Sequence, residues 1–302
     1  MASYNNQRHF NSTRLRRAFD RRAHRFAQMD FLPREVAQRM LEHLAPIKLS
    51  PQRILDIGCA VGGALPALQK AYPNANVIGI DWSTNMLAHA SAQKNLLAQL
   101  TQRVLGRRQH WVQADWSYLP CASNSIDLVW SNFSLHWSAL PHQTLKEWTR
   151  VLCPEGLLIL STLGPDSLKE LRAAFAQVDH AVHIPAFVDM HDVGDMLGKH
   201  GLTNPVMDAE YLTITYETPK RLLDDVRALG IYPGIDGLHS LRGRLWHQRL
   251  YAALEEQRHS DDGLIHLSFE LVYGHAWKVA ELTSTADETG IIHIHPSQIT
   301  RR

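Results

Sequence analysis

The chain has 302 residues, enough for one large domain or for a core domain with an added lobe. Hydrophobic residues make up 45% and charged residues 20%, as in ordinary soluble globular proteins, and the net charge of +1 argues against a surface that binds nucleic acid throughout. The three cysteines are widely spaced and form no CxxC pair, which disfavours a disulfide framework or a structural zinc site and favours a reducing compartment.

The N-terminal segment, MASYNNQRHFNSTRLRRAFDRR, lacks the apolar core that a signal peptide requires. Its arginines resemble those of a mitochondrial transit peptide, but Asp20 and Asp30 disfavour that interpretation. Nowhere does the chain offer about 18 consecutive apolar residues, the length of a membrane-spanning helix. These features predict a cytoplasmic protein without a membrane partner.

Apolar residues recur at helical intervals between Arg14 and Leu44, and Pro33 is expected to separate two helices there. We therefore predict an N-terminal helical cap over residues 1–48.

From about residue 53 to residue 162, short apolar runs alternate with helical stretches. The strand candidates, which end near Gly, Asp or Asn, are RILDIG (53–58), NVIGID (76–81), HWVQAD (110–115), IDLVWSN (126–132) and LLILSTL (157–163). This alternation predicts an α/β, Rossmann-like fold with a mostly parallel central sheet between two layers of helices. Ligands of such sheets bind beyond the carboxyl ends of the strands.

The pattern after Leu163 is less regular. We expect helices in residues 164–178, 189–201, 218–230 and 237–257, and strands in residues 207–218 and 264–279. These elements are expected to extend the sheet. An insertion at about residues 217–262 is expected to cover the mouth of the sheet as a lid, so that residues 49–302 form the main domain.

The stretch ILDIGCAVGG (54–63) joins the first strand to a helix through small residues, which let the backbone turn sharply and approach a ligand. A dinucleotide fingerprint is disfavoured because Ala60 stands at its second glycine, and a P-loop is excluded because no Gly-Lys-Ser/Thr follows. Asp56 would repel a phosphate but could accept a hydrogen bond from an ammonium group. A plain glycine turn without a ligand is the alternative.

Two further acids end the next strands. Asp81 lies about 20 residues beyond the glycine turn, where a carboxylate can bind both hydroxyls of a ribose; its alternative role is to cap a helix, which Ser83 could do as well. Asp115, beside Trp116, could accept from an adenine amino group or be an ordinary loop acid. Together with Asp56 they describe a site for a nucleoside with a cationic tail.

This pattern resembles the class I methyltransferases that use S-adenosylmethionine. LDIGCAVG (55–62) is similar to their LDxGCGxG motif with Ala60 in place of a glycine, and RVLCPEGLLILST (150–162) is similar to their RVLxPGG turn with Glu155 in place of a glycine. The resemblance covers about residues 50–163. It implies S-adenosylmethionine as the cofactor, bound by Asp56, Gly58, Ala60, Gly62, Asp81, Trp82, Asp115, Trp116 and Asn132.

A second resemblance extends almost from end to end. It is carried by AFDRRAHRF (18–26), SNFSLHW (131–137), STLGPDSLKELR (161–172), FVDMHDVGDML (187–197), NPVMDAEYLTITY (204–216) and VYGHAWK (272–278), which resemble the malonyl-acyl-carrier-protein O-methyltransferases of biotin synthesis. The resemblance implies methylation of the free carboxylate of a malonyl thioester, on carrier protein or coenzyme A. Phe26 departs from the family's usual tyrosine, so a hydrogen bond from that hydroxyl must be absent or supplied elsewhere.

Such a reaction requires no general base, because a carboxylate is already ionised at neutral pH. No acid–base triad is therefore expected. His136 and Trp137, which follow the fourth strand, are candidates for orienting the acceptor, although His136 could equally be an ordinary loop histidine. Asn132 could line the methionine side of the pocket or cap the strand.

Acyl carrier proteins are strongly acidic, so a basic rim beside the cleft would attract one. Arg17 and Arg21 belong to a cluster on the first helix that also contains Arg14, Arg16, Arg22 and Arg25, while Arg221 and Arg227 lie on a later basic helix. Alternatively, these arginines could form an ordinary solvent-exposed helix face without a partner. An RNA contact is disfavoured because the sequence has no aromatic stacking module. The pair His293 and His295 has no further ligand at a recognisable spacing, so no metal site is expected.

Two other functions stay open at this stage. One is a methyltransferase-like assembly factor that acts by binding a protein, and the other is a carboxyl methyltransferase of small acids.

Overall fold

The computed structural model describes residues 12–92, 110–230 and 243–279. Seven strands in these residues form one sheet. They are β1 (Arg53–Ile57), β2 (Asn76–Asp81), β3 (His110–Gln113), β4 (Ile126–Asn132), β5 (Leu152–Leu163), β6 (Leu202–Tyr216) and β7 (Ile265–Lys278). The helices are α1 (Ser12–Met29), α2 (Phe31–Leu44), α3 (Leu65–Ala71), α4 (Thr84–Ala92), α5 (Pro141–Val151), α6 (Lys169–Val178), α7 (Met190–Lys199), α8 (Pro219–Leu229) and α9 (Arg244–Glu255), with a 3-10 helix at Leu135–Trp137.

The strand order is β3-β2-β1-β4-β5-β7-β6, and the first five strands along the chain are parallel. The order reverses between β1 and β4, because the chain first builds outward through β2 and β3 and then returns to the other side of β1. Ligands of such sheets bind outside the carboxyl ends of the strands at this reversal. The predicted α/β, Rossmann-like sheet is confirmed.

Both faces of the sheet are buried, which explains why its central strands are apolar runs rather than alternating patterns. In β4, Leu128 and Trp130 pack into the core beneath α2, α3 and α6, whereas Val129 between them packs into the core beneath α4, α5 and α7. Ile54 and Leu55 of β1 divide in the same way. Successive side chains thus anchor helices on opposite faces.

The later strands β7 and β6 extend the sheet by antiparallel pairing, β7 against β5 and β6 against β7. This confirms the expected extension, although β6 begins at Leu202 rather than near residue 207 and α6 begins at Lys169 rather than after Pro165. The strand β5 is also longer than expected, since it includes the turn at Glu155. Glu155 has a φ of 62°, a left-handed conformation that accounts for the glycine at this place in the family motif.

The two N-terminal helices separate at Asp30 and not at Pro33. Pro33 lies in the first turn of α2, where a missing backbone N–H costs nothing because that N–H has no helical acceptor. Asp20 attaches α1 to the start of α4: its Oδ1 accepts from Ser83 Oγ at 2.6 Å, and its main-chain carbonyl accepts from Asn85 Nδ2 at 3.1 Å.

None of the helices in the described residues is long and apolar enough to cross a bilayer.

Candidate active site

A cavity of about 900 Å³, including the solvent at its mouth, lies at the carboxyl ends of the central strands. Its polar wall comes from the ends of β1, β2 and β4, and its apolar cover from α1, α2 and the end of α8. The predicted site residues among its lining are Phe26, Asp56, Gly58, Ala60, Asp81, Trp116, Asn132, His136 and Trp137. The sequence-predicted residues Gly62, Trp82 and Asp115 are not part of the lining that the structure describes.

The turn after β1 takes a conformation that small residues allow. Gly58, Ala60 and Gly62 all have positive φ, of 75°, 46° and 77°. A Cβ on Gly58 would lie 2.0 Å from Ser134 Oγ, and one on Gly62 would lie 2.3 Å from the ring of Trp111. These glycines therefore make room for the protein's own side chains, in addition to any role they have toward a ligand.

Asp56 is the most unusual polar group of the cavity. It is 2% exposed, and its Oδ2 is buried without a hydrogen-bond partner. Burial, reinforced by the nearby Asp81, raises the pKa of Asp56 to about 8. A buried acceptor with no partner is costly, so a ligand that brings a positively charged N–H donor would stabilise the ionised form.

Asp81 holds the turn after β1 in place. Its Oδ2 accepts from Ala60 N at 3.0 Å and its Oδ1 from Ser83 N at 2.8 Å. Ser83 Oγ accepts from Met86 N at 3.2 Å, so Ser83 has the helix-capping role that was the alternative for Asp81. Burial raises the pKa of Asp81 to about 6, although these hydrogen bonds and the charge of Arg22 oppose the rise. Each carboxylate oxygen has a second lone pair for a ligand hydroxyl.

Aromatic side chains stand beside this pair of acids. Trp116 is buried in the cavity wall and its ring centroid lies 4.1 Å from that of Trp82. Asp115 is half-buried, and its Oδ1 accepts from Ser117 N at 2.8 Å. The structure thus brings Trp116 to the site and places Asp115 next to it in a loop turn.

Asn132 connects three elements at the cavity. Its Nδ2 donates to Pro33 O of α2 at 2.7 Å, and its Oδ1 accepts from Ser161 Oγ of β5 at 2.8 Å. His136 and Trp137 follow on the 3-10 helix, both buried, with ring centroids 5.0 Å apart. Phe26 of α1 is also buried in the lining. These residues form a largely apolar chamber around the end of β4.

Arg22 departs from the sequence-based expectation. It was grouped with the arginines of a solvent-facing surface, yet it is 8% exposed and its guanidinium carbon lies 3.5 Å from the centroid of the Phe19 ring. The signal was present in the spacing: Leu15, Phe19, Arg22 and Phe26 follow one another at intervals of four, three and four residues. That spacing places Arg22 on the buried face of α1.

The other predicted carrier-binding arginines lie on the surface. Arg17 and Arg21 are exposed on α1, and Arg221 and Arg227 are exposed on α8, which packs against α1. Arg227 Nη1 lies 3.3 Å from Asp224 Oδ1. The side chain of Arg14 falls outside the described part of the structure.

One group of possible metal ligands occurs in the described residues. His259, Asp262 and His266 have ligand atoms within 4.8 Å of one another; the first two are exposed in the turn before β7, and His266 is half-buried at the start of that strand. The two histidines considered from the sequence, His293 and His295, lie outside the described residues.

Comparison with known proteins identifies the family. Residues 55–160 match a methyltransferase domain model. The chain is 42% identical over 285 residues to the malonyl-acyl-carrier-protein O-methyltransferase of Methylovorus sp., with 94% of each chain covered. It is 44% identical over 267 residues to the enzyme of the same name from Gallionella capsiferriformans, covering 88% of this chain and 90% of the relative. The chain belongs to the malonyl-acyl-carrier-protein O-methyltransferase family. The predicted resemblance is thereby confirmed.

The fold comparison agrees with this assignment. The YcgJ protein of Bacillus subtilis superposes with a TM-score of 0.55 over 80% of this chain and 98% of its own, at 16% identity, which supports the fold alone.

The residues present in the cavity fit S-adenosylmethionine, the methyl donor of this family. The buried Asp56 Oδ2 without a partner suits the ammonium group of the donor, Asp81 suits its ribose, and Trp116 suits its adenine. The individual residue assignments stay predictions.

Proposed function

We propose that this protein transfers a methyl group from S-adenosylmethionine to the free carboxylate of a malonyl group carried by acyl carrier protein, at the start of biotin precursor synthesis. Membership of a family whose relatives bear that enzyme name supports the proposal. The structural observation that best supports the proposal is a buried carboxylate oxygen of Asp56. It has no hydrogen-bond partner and lies in a cavity where the strand order reverses.

When bound, S-adenosylmethionine supplies a methyl group activated by its sulfonium; the acceptor carboxylate forms the new O–CH₃ bond as the C–S bond breaks, and sulfur keeps the electron pair. No proton moves in this exchange. The chain's own residues therefore need only bind, align and exclude water. Phe26, His136 and Trp137, which line the chamber, are suited to this task.

Several residues support the alignment. Asp56 would hold the ammonium group and Asp81 the ribose of the donor on the strand side, and Trp116 would pack against its base. Phe26 lacks the hydroxyl of the usual family tyrosine, so its contribution is the packing of its ring. The insertion at 217–262 contributes Leu229 to the lining, consistent with the predicted covering role.

Carrier binding is assigned to the exposed arginines on α1 and α8. An acidic carrier protein would be attracted to Arg17, Arg21, Arg221 and Arg227, whose helices border the cavity through Phe19 and Leu229. Coenzyme A is the alternative carrier.

The test is a methyl-transfer assay with the purified full chain and methyl-labelled S-adenosylmethionine. Malonyl-carrier protein should become labelled, and base treatment should release the label as methanol because the product is an ester. Acetyl-carrier protein, which has no free carboxylate, is the matched control and should stay unlabelled. Failure with both malonyl-carrier protein and malonyl-coenzyme A would contradict the proposal.

The same experiment separates the alternatives. Affinity for the donor without turnover on any acid would favour an assembly factor that acts by binding a protein. Turnover of free dicarboxylates, independent of a carrier, would favour a small-acid methyltransferase. Restoration of growth without biotin in a strain that lacks this methyl transfer would test substrate and pathway together.

A further inference from the structure

A buried arginine with an unused pair of donors lies against the cavity wall: Arg22 is not itself among the lining residues, but it packs against residues that are. The guanidinium of Arg22 stacks on Phe19 and lies 5.8 Å from the ring centroid of Trp137, measured from its central carbon. Phe19 and Trp137 both line the cavity. On the third side, a Cβ on Gly230 would overlap the Nη1 atom, and the residue before it, Leu229, also lines the cavity.

The two unused donors of Arg22 belong to the same edge of the guanidinium. Nε and Nη2 are both shielded from solvent and have no hydrogen-bond partner. The N–H groups of these two atoms point in parallel and form the fork that matches the two oxygens of a carboxylate. A fork of this kind, held by aromatic packing on its face, is shaped for one planar anion.

Leaving this charge unpaired is unfavourable. Burial lowers the pKa of Arg22 to about 9, while the charge of Asp81 raises it, so the side chain is still a cation at neutral pH. Asp81 directs its two carboxylate oxygens to the backbone amides of Ala60 and Ser83. A buried charge without a hydrogen-bonded partner is costly, and an anionic ligand at the fork would remove that cost.

The carboxylate of the methyl donor is a poor match for this position. In S-adenosylmethionine the carboxylate and the ammonium are attached to the same carbon, and the ammonium is assigned to Asp56. Arg22 and Asp81, the acid assigned to the ribose, act on each other electrostatically. Arg22 lies instead beside Trp137, at the end of β4 where the acceptor is expected.

We propose that Arg22 binds the free carboxylate of the malonyl acceptor through its Nε and Nη2 edge and so positions that carboxylate for methylation. The inference rests on the proposed function and adds the residue that selects the acceptor. Each carboxylate oxygen keeps a second lone pair when the fork is engaged, so one oxygen can still attack the methyl group. The product is a neutral ester, which the guanidinium holds less tightly, and this difference favours product release.

The test measures recognition of the acceptor charge apart from turnover. The full chain is saturated with S-adenosylhomocysteine. The affinity of this complex is then measured for malonyl-carrier protein and for carrier protein that bears the methyl ester of the malonyl group. The wild type should bind the free carboxylate about 10- to 100-fold more tightly than the ester, as expected for charge-assisted hydrogen bonds. Arg22→Gln should reduce this ratio to about one while changing the affinity for S-adenosylhomocysteine less than about threefold.

Two further variants complete the test. Arg22→Lys keeps the charge without the fork and should retain an intermediate preference; it takes the place of Arg22→Gln in the test if Arg22→Gln does not fold. Arg53→Gln, at an exposed position at the amino end of β1, is the matched control and should keep the wild-type ratio.

The outcomes distinguish the two levels of inference. Wild-type methylation of malonyl-carrier protein together with an unchanged carboxylate preference in both Arg22 variants would overturn the role of Arg22. A parallel loss of S-adenosylhomocysteine affinity would instead assign Arg22 to the donor site. Absence of methylation in the wild type would contradict the proposed function itself.

Discussion

Two buried acids dominate the site at the scale of single residues. Asp56 and Asp81 end neighbouring strands, and each is almost fully buried, at 2% and 4% exposure. Burial raises the pKa of both carboxyl groups, and the negative charge of Asp81 raises the pKa of Asp56 further. The two acids therefore favour binding of a cationic ligand. Without such a ligand their ionised forms are unfavourable.

The raised pKa of Asp56 predicts a pH dependence of donor binding. Below about pH 8 the free carboxyl is largely protonated and must release its proton to accept the ligand ammonium, so the affinity for S-adenosylhomocysteine should rise with pH by up to about tenfold per unit. At higher pH the α-amino group of the ligand, a free amino acid whose ammonium is less acidic than a chain terminus, loses its own proton and the affinity should fall. Calorimetry should therefore show the affinity rising up to about pH 8 and falling only at more alkaline pH.

The variant Asp56→Asn tests whether this pH dependence comes from the Asp56 carboxylate. Asp56→Asn should bind more weakly and lose the rise on the acidic side. Because the folded pKa exceeds the unfolded value of 3.8, Asp56 stabilises the free protein most below about pH 4, and that contribution declines as pH rises through about 8. Asp56→Asn should show a smaller decline in melting temperature over this window. Equal wild-type affinities at pH 6 and pH 8 would contradict the assignment.

Ala60 predicts a stabilising substitution. Its φ of 46° is left-handed, where a Cβ costs about 1–2 kcal/mol, so Ala60→Gly should raise the free energy of unfolding by up to about 1 kcal/mol after the greater chain entropy of glycine is included. Denaturant titration measures the change. Ala64→Gly is the control: its φ is −82°, so that substitution should be neutral or destabilising. A destabilised Ala60→Gly would show that the methyl group contributes packing that outweighs the strain.

At the scale of elements, helix α1 controls the cavity from one side. It carries Phe19 and Phe26 of the cavity lining and the buried Arg22 beside Phe19, and its attachment to α4 depends on the acceptors of Asp20. The helix itself follows from apolar spacing, but its position over the strand ends depends on partners about 65 residues away in the chain, as the pair Asp20 and Asn85 illustrates.

Loosening that attachment should weaken donor binding. Asp20→Ala removes the acceptor for Ser83 Oγ and should lower stability by about 1.5–3 kcal/mol, as for hydrogen bonds to charged groups. The affinity for S-adenosylhomocysteine should fall with it, because the aromatic cover on α1 becomes less ordered. Asp20→Asn keeps an acceptor oxygen and should retain most of both properties. Wild-type affinity in Asp20→Ala would mean that α1 is positioned by packing alone.

At the scale of the whole molecule, charge is balanced in total but uneven in position. The 31 basic and 30 acidic residues nearly cancel, yet exposed arginines gather on the adjoining helices α1 and α8. Such a surface can attract an acidic carrier even though the protein as a whole is nearly neutral.

Charge reversal on this surface should separate carrier binding from chemistry. Replacing Arg17, Arg21, Arg221 and Arg227 by Glu should raise KM for malonyl-carrier protein at least about tenfold and leave kcat for a malonyl thioester of N-acetylcysteamine, which has no carrier, nearly unchanged. KM of the wild type for the carrier should also rise with ionic strength. Lys48→Glu with Arg53→Glu, exposed near the start of β1, is the control. An unaffected carrier KM would place the docking surface elsewhere.

The sequence by itself determined the parallel sheet and the grouping of its strand-end acids. Asp56 and Asp81 could be placed together in advance because parallel strands bring their carboxyl ends to one edge, whatever the details of packing. Local conformation was also readable: Ala60 and Glu155 stand where the family motifs have glycine, and both have positive φ.

The tertiary structure alone decided which groups are buried and what they face. Ser134 and Trp111 explain the glycines at 58 and 62, yet they lie about 76 and 49 residues further along the chain, and no local pattern connects them. Arg22 was hidden among its neighbours because charged residues are rarely buried. Only the packing of α1 against α8 and the 3-10 helix removes its fork from water and turns it from a surface charge into a candidate for holding the acceptor.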